Sequence, residues 1–195
     1  MQPPLFVFAH GAGAPSSHPW MRAWAERLRE LGEVVTFDYS YMAERRGAPD
    51  PLAKLLLTHI AAIADAERRF PGRATVLIGK SMGGRVGCHV ALERPVERVV
   101  CLGYPLKGQG PNGKLRDAVL RELETPILFV QGTRDPLCPL ELLAAVRPTM
   151  RAPNELYVVE HGNHSLEVTK GELKRTLRTQ EDSNRAILAA IKAFI

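Results

Sequence analysis

Short apolar runs recur along this chain, each followed by a stretch with helical spacing, and that alternation narrows the architectures open to it. Residues 5–9 (Leu-Phe-Val-Phe-Ala), 34–38, 75–78, 96–102, 127–131 and 156–159 read as strands. Most are continuously apolar rather than alternating, so both of their faces must be covered. Helical stretches fall between them, at about residues 19–31, 82–93, 113–123 and 140–146. A last helix from about residue 183 carries Ile187, Leu188, Ile191, Phe194 and Ile195. The clearest helix follows Asp50-Pro51, a capping residue and a proline tolerated at the first helical position. Leu52, Leu55, Leu56, Ile60 and Ile63 then recur at helical spacing until Pro71-Gly72. This pattern predicts an α/β fold: a three-layer α/β/α sandwich around a mostly parallel sheet of about six strands.

The chain has 195 residues, 45% hydrophobic and 24% charged, which suits one globular domain over residues 1–195 with a real core. It shows no internal repeat, low-complexity stretch or linker; the polar, Gly-rich residues 107–112 read as a loop. A formal charge of +5 leans toward acidic ligands, yet the cations are dispersed. The densest stretch, residues 170–178, is interrupted by Glu172, Leu173 and Leu177 and reads as a solvated helix face, so no nucleic-acid partner is expected. Cys88, Cys101 and Cys138 lack a C-x-x-C pair, which argues against a disulfide framework or zinc site and for Cys88 and Cys101 as small core residues. There is no basic leader, and residues 5–9 are too short for a signal or a membrane span. The expectation is a cytoplasmic protein without a membrane partner.

Residues 79–83, Gly-Lys-Ser-Met-Gly, form a G-x-S-x-G pentapeptide between the third strand and a helix. A strand reversing into a helix over so few residues strains the backbone at Ser81, and flanking glycines admit neighbouring chain without Cβ clashes. The serine hydroxyl then projects from the tip of the turn. It is a weak nucleophile until a base takes its proton and a third group holds that base.

Six histidines are available. His59 belongs to the helix after Asp50, His89 lies two turns into the helix after Ser81, and His18 starts the first helix. His161 and His164 remain, both in the loop after the last strand. His164 is preferred, because the Gly162-Asn163 turn can carry it back over the strand ends. Without an accompanying carboxylate pattern the two are not read as metal ligands. For the orienting acid, Asp135 follows the fifth strand in Gln131-Gly132-Thr133-Arg134-Asp135-Pro136, with Asp117 as runner-up. Ligands of such sheets sit beyond the carboxyl ends of the strands, where residues 10–13, Ser81, Asp135 and His164 all fall. An oxyanion site needs two backbone N–H groups: Met82, directly after the serine, and Ala12 or Gly11 from the first loop.

On these motifs the chain resembles the α/β-hydrolase superfamily from Leu5 to its last helix. Gly79-Lys80-Ser81-Met82-Gly83-Gly84-Arg85, Phe37-Asp38-Tyr39 with Tyr41-Met42, and Gly132-Thr133-Arg134-Asp135-Pro136-Leu137-Cys138 are similar to a small subgroup. That subgroup is related to the dienelactone hydrolases and includes a testis-expressed hydrolase-like protein and a subunit of the nonspecific-lethal complex. The resemblance implies Ser81, Asp135 and His164 as nucleophile, acid and base, with Met82 and the first loop as oxyanion donors. Two departures stand out: the first strand here matches the superfamily's third, and only some twenty residues separate strands four and five, where many relatives insert a lid. Dienelactone hydrolases proper carry cysteine where Ser81 stands.

The expected function is a serine hydrolase of a small-molecule ester or thioester, with no metal or organic cofactor required. The same residues in a peptidase or amidase, or a non-catalytic interaction module on this fold, are the alternatives. Tyr41, Met42, Tyr104 and Leu106 are candidate pocket walls. Arg45, Arg46, Lys80 and Arg134 are candidate cations at the mouth.

Overall fold

In a computed structural model, which describes residues 2–108, 110 and 113–195, the chain alternates strand and helix from end to end. The elements are β1 (Leu5–Ala9), α1 (Pro19–Leu28), β2 (Glu33–Phe37), α2 (Ser40–Ala43), α3 (Leu52–Arg69), β3 (Thr75–Lys80) and α4 (Met82–Glu93). They continue with β4 (Arg98–Leu102), α5 (Ala118–Glu122), β5 (Ile127–Gly132), α6 (Leu140–Val146), β6 (Asn154–Val159), α7 (Lys170–Arg175) and α8 (Gln180–Phe194). The strands form one sheet in the order β2-β1-β3-β4-β5-β6, and all five pairings are parallel.

Period-two side-chain alternation divides the core between two faces. Leu5, Val7 and Ala9 of β1, Leu77 of β3, Val99 and Cys101 of β4, and Ile127 and Phe129 of β5 pack on one side against α3, α4, α5 and α6. Phe6, Phe8, Val76, Ile78, Val100, Leu102, Leu128 and Val130 pack on the other, against Trp24 and Leu28 of α1 and Ile187 and Ile191 of α8. The central strands are buried on both faces, as their continuously apolar sequence requires. Each large apolar side chain so buried contributes about 1.5–3 kcal/mol. Cys88, Cys101 and Cys138 are buried free thiols, with the sulfurs of Cys88 and Cys101 4.0 Å apart.

Strand order reverses between β1 and β3: β1 leads into a helix on one face and β3 into a helix on the other. The loops diverging there open a crevice at the carboxyl edge.

Several boundaries differ from the sequence reading. The helix expected over residues 113–123 shrinks to α5, because residues 113–116 fold back on 106–108. The Arg116 N–H donates to Leu106 O at 2.7 Å, and Lys107 bridges Leu115. Of the loop expected over residues 107–112, Gln109, Pro111 and Asn112 lie outside the described residues. The last helix starts at Gln180, before residue 183. Thr179 Oγ1 accepts the Asp182 N–H at 3.1 Å while Asp182 Oδ2 accepts the Thr179 N–H at 2.7 Å, a reciprocal cap. Helix α1 ends at Leu28, short of residue 31, β4 starts at Arg98 and β6 at Asn154. Among the described residues, no helix is long and apolar enough to cross a membrane.

Candidate active site

Ser81 sits between β3 and α4 with φ 51° and ψ −114°, a backbone conformation that costs a non-glycine residue about 1–3 kcal/mol. The flanking glycines are sterically required. A Cβ at Gly79 would come within 2.1 Å of the Gly84 nitrogen, and one at Gly83 within 2.5 Å of the Ala9 carbonyl oxygen. At Gly11 and Gly13 a Cβ meets only ordinary contacts or open space, so close approach does not explain those two glycines.

The hydroxyl of Ser81 lies 2.8 Å from His164 Nε2, and His164 Nδ1 lies 2.7 Å from Asp135 Oδ2. Alcohol, imidazole and carboxylate thus form one hydrogen-bonded chain across residues 83 and 29 positions apart in sequence. Asp135 is buried, and both of its oxygens are engaged. Oδ1 accepts the Leu137 N–H at 2.8 Å, and Oδ2 also accepts from the Gln131 amide at 2.5 Å. Burial alone would raise the carboxyl's pKa. The hydrogen bond and charge of His164, with the Leu137 and Gln131 donors, outweigh it and hold the group below its ordinary value. An ionised Asp135 accepts from Nδ1–H, which leaves Nε2 as an acceptor for the Ser81 O–H.

The loop carrying His164 is fixed at three points. The Lys80 ammonium donates to the His164 carbonyl, the Trp20 indole N–H donates to Ser165 O at 3.0 Å, and Asn163 Oδ1 accepts the Ser165 N–H at 2.7 Å. Gly103, at φ 71°, lets this loop lie against the end of β4, since a Cβ there would stand 2.6 Å from the His164 carbonyl oxygen.

The first loop is held from below. The Tyr39 N–H donates to His10 Nε2 at 3.1 Å, so the proton of the neutral ring is on Nδ1, which donates to Gly11 O at 2.6 Å. Burial lowers the His10 pKa and favours that neutral form. The Tyr41 hydroxyl donates to Ala12 O at 2.9 Å, and Asp38 Oδ1 accepts the Ser16 N–H at 2.6 Å. Gly11 and Ala12 therefore flank Ser81 on a braced loop. The Met82 N–H, at the first position of α4, has no intrahelical acceptor and carries the positive end of the helix dipole.

Two open cavities meet at Ser81. One, of about 480 Å³, is bordered by Gly11, Ala12, His18, Trp20, Lys80 and His164. The other, of about 330 Å³, is bordered by Ala12, Met82, Arg85, Pro105, Arg116 and Leu137. The expected pocket walls lie elsewhere in the structure. Tyr41, Tyr104 and Leu106 are fully buried and border neither cavity, and Met42 packs against the core. The tyrosines serve as braces instead, Tyr41 to Ala12 and Tyr104 through its hydroxyl to Arg116 O at 2.9 Å.

Of the expected mouth cations only Lys80 borders a cavity at Ser81. Arg46 pairs with Glu44 and Asp50, while Arg134 stands beside His161 in a separate depression. His161 is turned toward Glu172 and Arg175 on α7, and Asp117 pairs with Arg121, so neither runner-up reaches Ser81. His59 is buried against the Tyr39 hydroxyl, its pKa pushed down to about 3 by burial. His18 and Trp20 border the larger cavity though nothing in their spacing marked them; Arg85 could have been read from its position four residues after Ser81. Among the described residues, no group of three or more His, Cys, Asp or Glu side chains converges to ligate a metal ion.

The sequence profile of a family described as an alpha/beta hydrolase domain matches residues 2–195. An alpha-beta serine hydrolase homologue from Coxiella burnetii superposes with TM-score 0.73 at 21% identity, over 94% of this chain and 84% of that one. A dienelactone hydrolase from Anabaena variabilis gives 0.67 at 23%, over 94% and 85%. The esterase domain of a Rhodothermus marinus protein gives 0.69 at 18%, over 99% and 87%. These likenesses establish the fold.

Proposed function

The chain belongs to the alpha/beta hydrolase domain family, and from that premise we propose that residues 1–195 form one domain acting as a serine hydrolase on a small ester or thioester. The observation that carries this reading is the continuous chain Ser81–His164–Asp135, with contacts of 2.8 and 2.7 Å at a strained elbow.

In the reaction, Ser81 Oγ attacks the substrate carbonyl while its proton passes to His164 Nε2. Asp135 keeps the imidazole in its tautomer and stabilises the imidazolium that forms. Negative charge on the former carbonyl oxygen is received by the N–H groups of Met82 and Ala12, each such donor being worth about 100- to 1,000-fold in turnover. Collapse breaks the bond to the leaving oxygen or sulfur, which takes the proton from Nε2. Water then gives a proton to Nε2 and attacks the acyl carbon, releasing a carboxylic acid and restoring Ser81. One water is consumed per ester cleaved, and no redox change occurs. Both cavities at Ser81 are open and modest in volume, which supports a compact substrate over a long lipid chain.

The test is a fluorophosphonate probe followed by mass spectrometry. Labelling confined to Ser81 and lost in Ser81→Ala is the expected result. Failure of the wild type to label, or undiminished labelling of Ser81→Ala, overturns the proposal.

A further inference from the structure

Arg85 lies one helical turn beyond Ser81, its backbone N–H donating to the Ser81 carbonyl at 3.2 Å. Side chains on a helix lean toward its N-terminus, so a residue at i+4 covers the turn that begins at i, with Cβ atoms about 5–6 Å apart. Arg85 therefore reaches back toward the serine, and both border the 330 Å³ cavity. Its Nε is buried and has no hydrogen-bond partner among the described residues. Among the described residues, the titratable groups that interact with it are Tyr104, Arg116, Cys88, Tyr39 and His89, none of them a carboxylate. Burial, reinforced by the neighbouring Arg116, lowers the guanidinium pKa against the opposing effect of Tyr104.

The acid bordering this cavity is already engaged. Asp50 Oδ1 accepts from Arg46 at 2.7 Å and lies 3.5 Å from the Lys54 ammonium, while Oδ2 accepts the Tyr41 N–H at 3.1 Å. Arg85 within and Arg116 at the exposed rim thus bring two cations to one cavity, and a half-buried guanidinium without a counter-charge is costly to keep. An arginine fork matches a carboxylate in shape and charge.

The two cavities differ in one further respect: His164 borders the larger and not the smaller. Since the imidazole must hand its proton to the leaving group, that group departs through the larger cavity and the acyl group occupies the smaller. We infer that Arg85 and Arg116 bind a carboxylate at the far end of the acyl group, making the substrate a half-ester or half-thioester of a short dicarboxylic acid. Residues one helical turn apart have Cβ atoms about 5–6 Å from each other, so a serine and an arginine that border one cavity at this spacing suit a short acyl group, of the succinyl-to-adipyl range. The inference rests on the serine-hydrolase reading of the same site.

The experiment compares monoethyl glutarate with ethyl valerate, whose acyl groups have the same number of carbons, by proton release at constant pH. Wild type is expected to favour the half-ester. Arg85→Gln should lower the ratio of the two kcat/KM values by about 10- to 100-fold, chiefly through KM for the half-ester, and Arg116→Gln by a smaller factor in the same sense. An equal ratio in wild type and both variants overturns the inference, whatever the absolute rates. Arg116 is exposed, so its variant keeps the test valid if Arg85→Gln fails to fold. A separate titration of monoethyl glutarate into Ser81→Ala protein reads the anion site without catalysis. Saturable binding that Arg85→Gln or Arg116→Gln weakens supports the site even if no ester is cleaved, and absence of such binding overturns it. Failure of fluorophosphonate labelling instead strikes only the hydrolase reading.

Discussion

The ammonium of Lys80 donates to the main-chain carbonyl of His164, so the residue directly before the serine holds the loop that carries the imidazole. Lys80 is half-buried and lies 5.6 Å over the Trp20 ring. Burial lowers its pKa from the ordinary 10.5 to about 8, against the charges of Asp135 and Glu167. The tether is therefore strongest below about pH 8 and weakens as the ammonium loses its proton. Wild-type kcat should fall as pH rises through about 8. In Lys80→Arg, which stays charged, that limb should vanish, while Lys80→Met should be about tenfold slower throughout. Stability moves the other way. Between about pH 8 and 10.5 the unfolded chain holds more protons than the folded one, so this group's contribution makes the fold more stable as pH rises. Rate profiles and urea melts across this range check both signs.

The sheet was readable because the middles of its central strands are continuously apolar, the composition that burial of β1, β3, β4 and β5 on both faces favours. The meeting of Ser81, Asp135 and His164 was readable because each lies in the connection that follows a strand, and parallel strands deliver their carboxyl ends to one edge. The pocket walls were not. Tyr41, Tyr104 and Leu106 follow strands too, but whether a side chain there lines a cavity or plugs the core depends on how its loop folds over the sheet. The early start of α8 is encoded in Thr179 and Asp182, three apart, a cap signature that lies outside the helix's apolar periodicity. Residues 113–116 carry no local cue to their structure, since their pairing with 106–108 is a tertiary contact.

The positive φ at Ser81 separates strain from chemistry. Ser81→Ala keeps the Cβ and the strained backbone, whereas Ser81→Gly relieves it. The glycine variant should be more stable than the alanine variant by about 1 kcal/mol, with both devoid of fluorophosphonate labelling. Urea denaturation of the pair gives the difference. Equal stabilities would mean that the elbow stores no strain at this residue.

Asp135 is held ionised by donors that the protein supplies in advance. Asp135→Asn should cost about 10,000-fold in kcat, because an amide facing His164 Nδ1 favours the wrong tautomer. Gln131→Leu removes one donor to Asp135 and also strands the buried Tyr104 N–H, which now donates to Gln131 Oε1 at 3.1 Å. A stability loss of about 1–3 kcal/mol is expected. The carboxyl's own pKa should rise, since it loses a donor that lowers it, and the change reads out in the pH dependence of stability. The sign for stability is that of a depressed acid: the contribution is present above the ordinary carboxyl range and is lost as pH falls through the lowered folded value.

The brace on the first loop is tested at Tyr41, whose hydroxyl donates to the Ala12 carbonyl at 2.9 Å from a fully buried ring. Burial, then the charges of Asp50 and Asp38, push its pKa up to about 12, so it remains a donor over any ordinary assay range. Tyr41→Phe keeps the ring and its packing but leaves the Ala12 carbonyl without this partner. Stability should fall by about 1 kcal/mol. Turnover should fall further than that figure alone explains, about tenfold in kcat with little change in KM, because in the proposed reaction the Ala12 N–H on the same braced loop meets charge that exists only in the transition state. A change confined to KM would instead place the loop in ground-state binding and remove Ala12 from the oxyanion site.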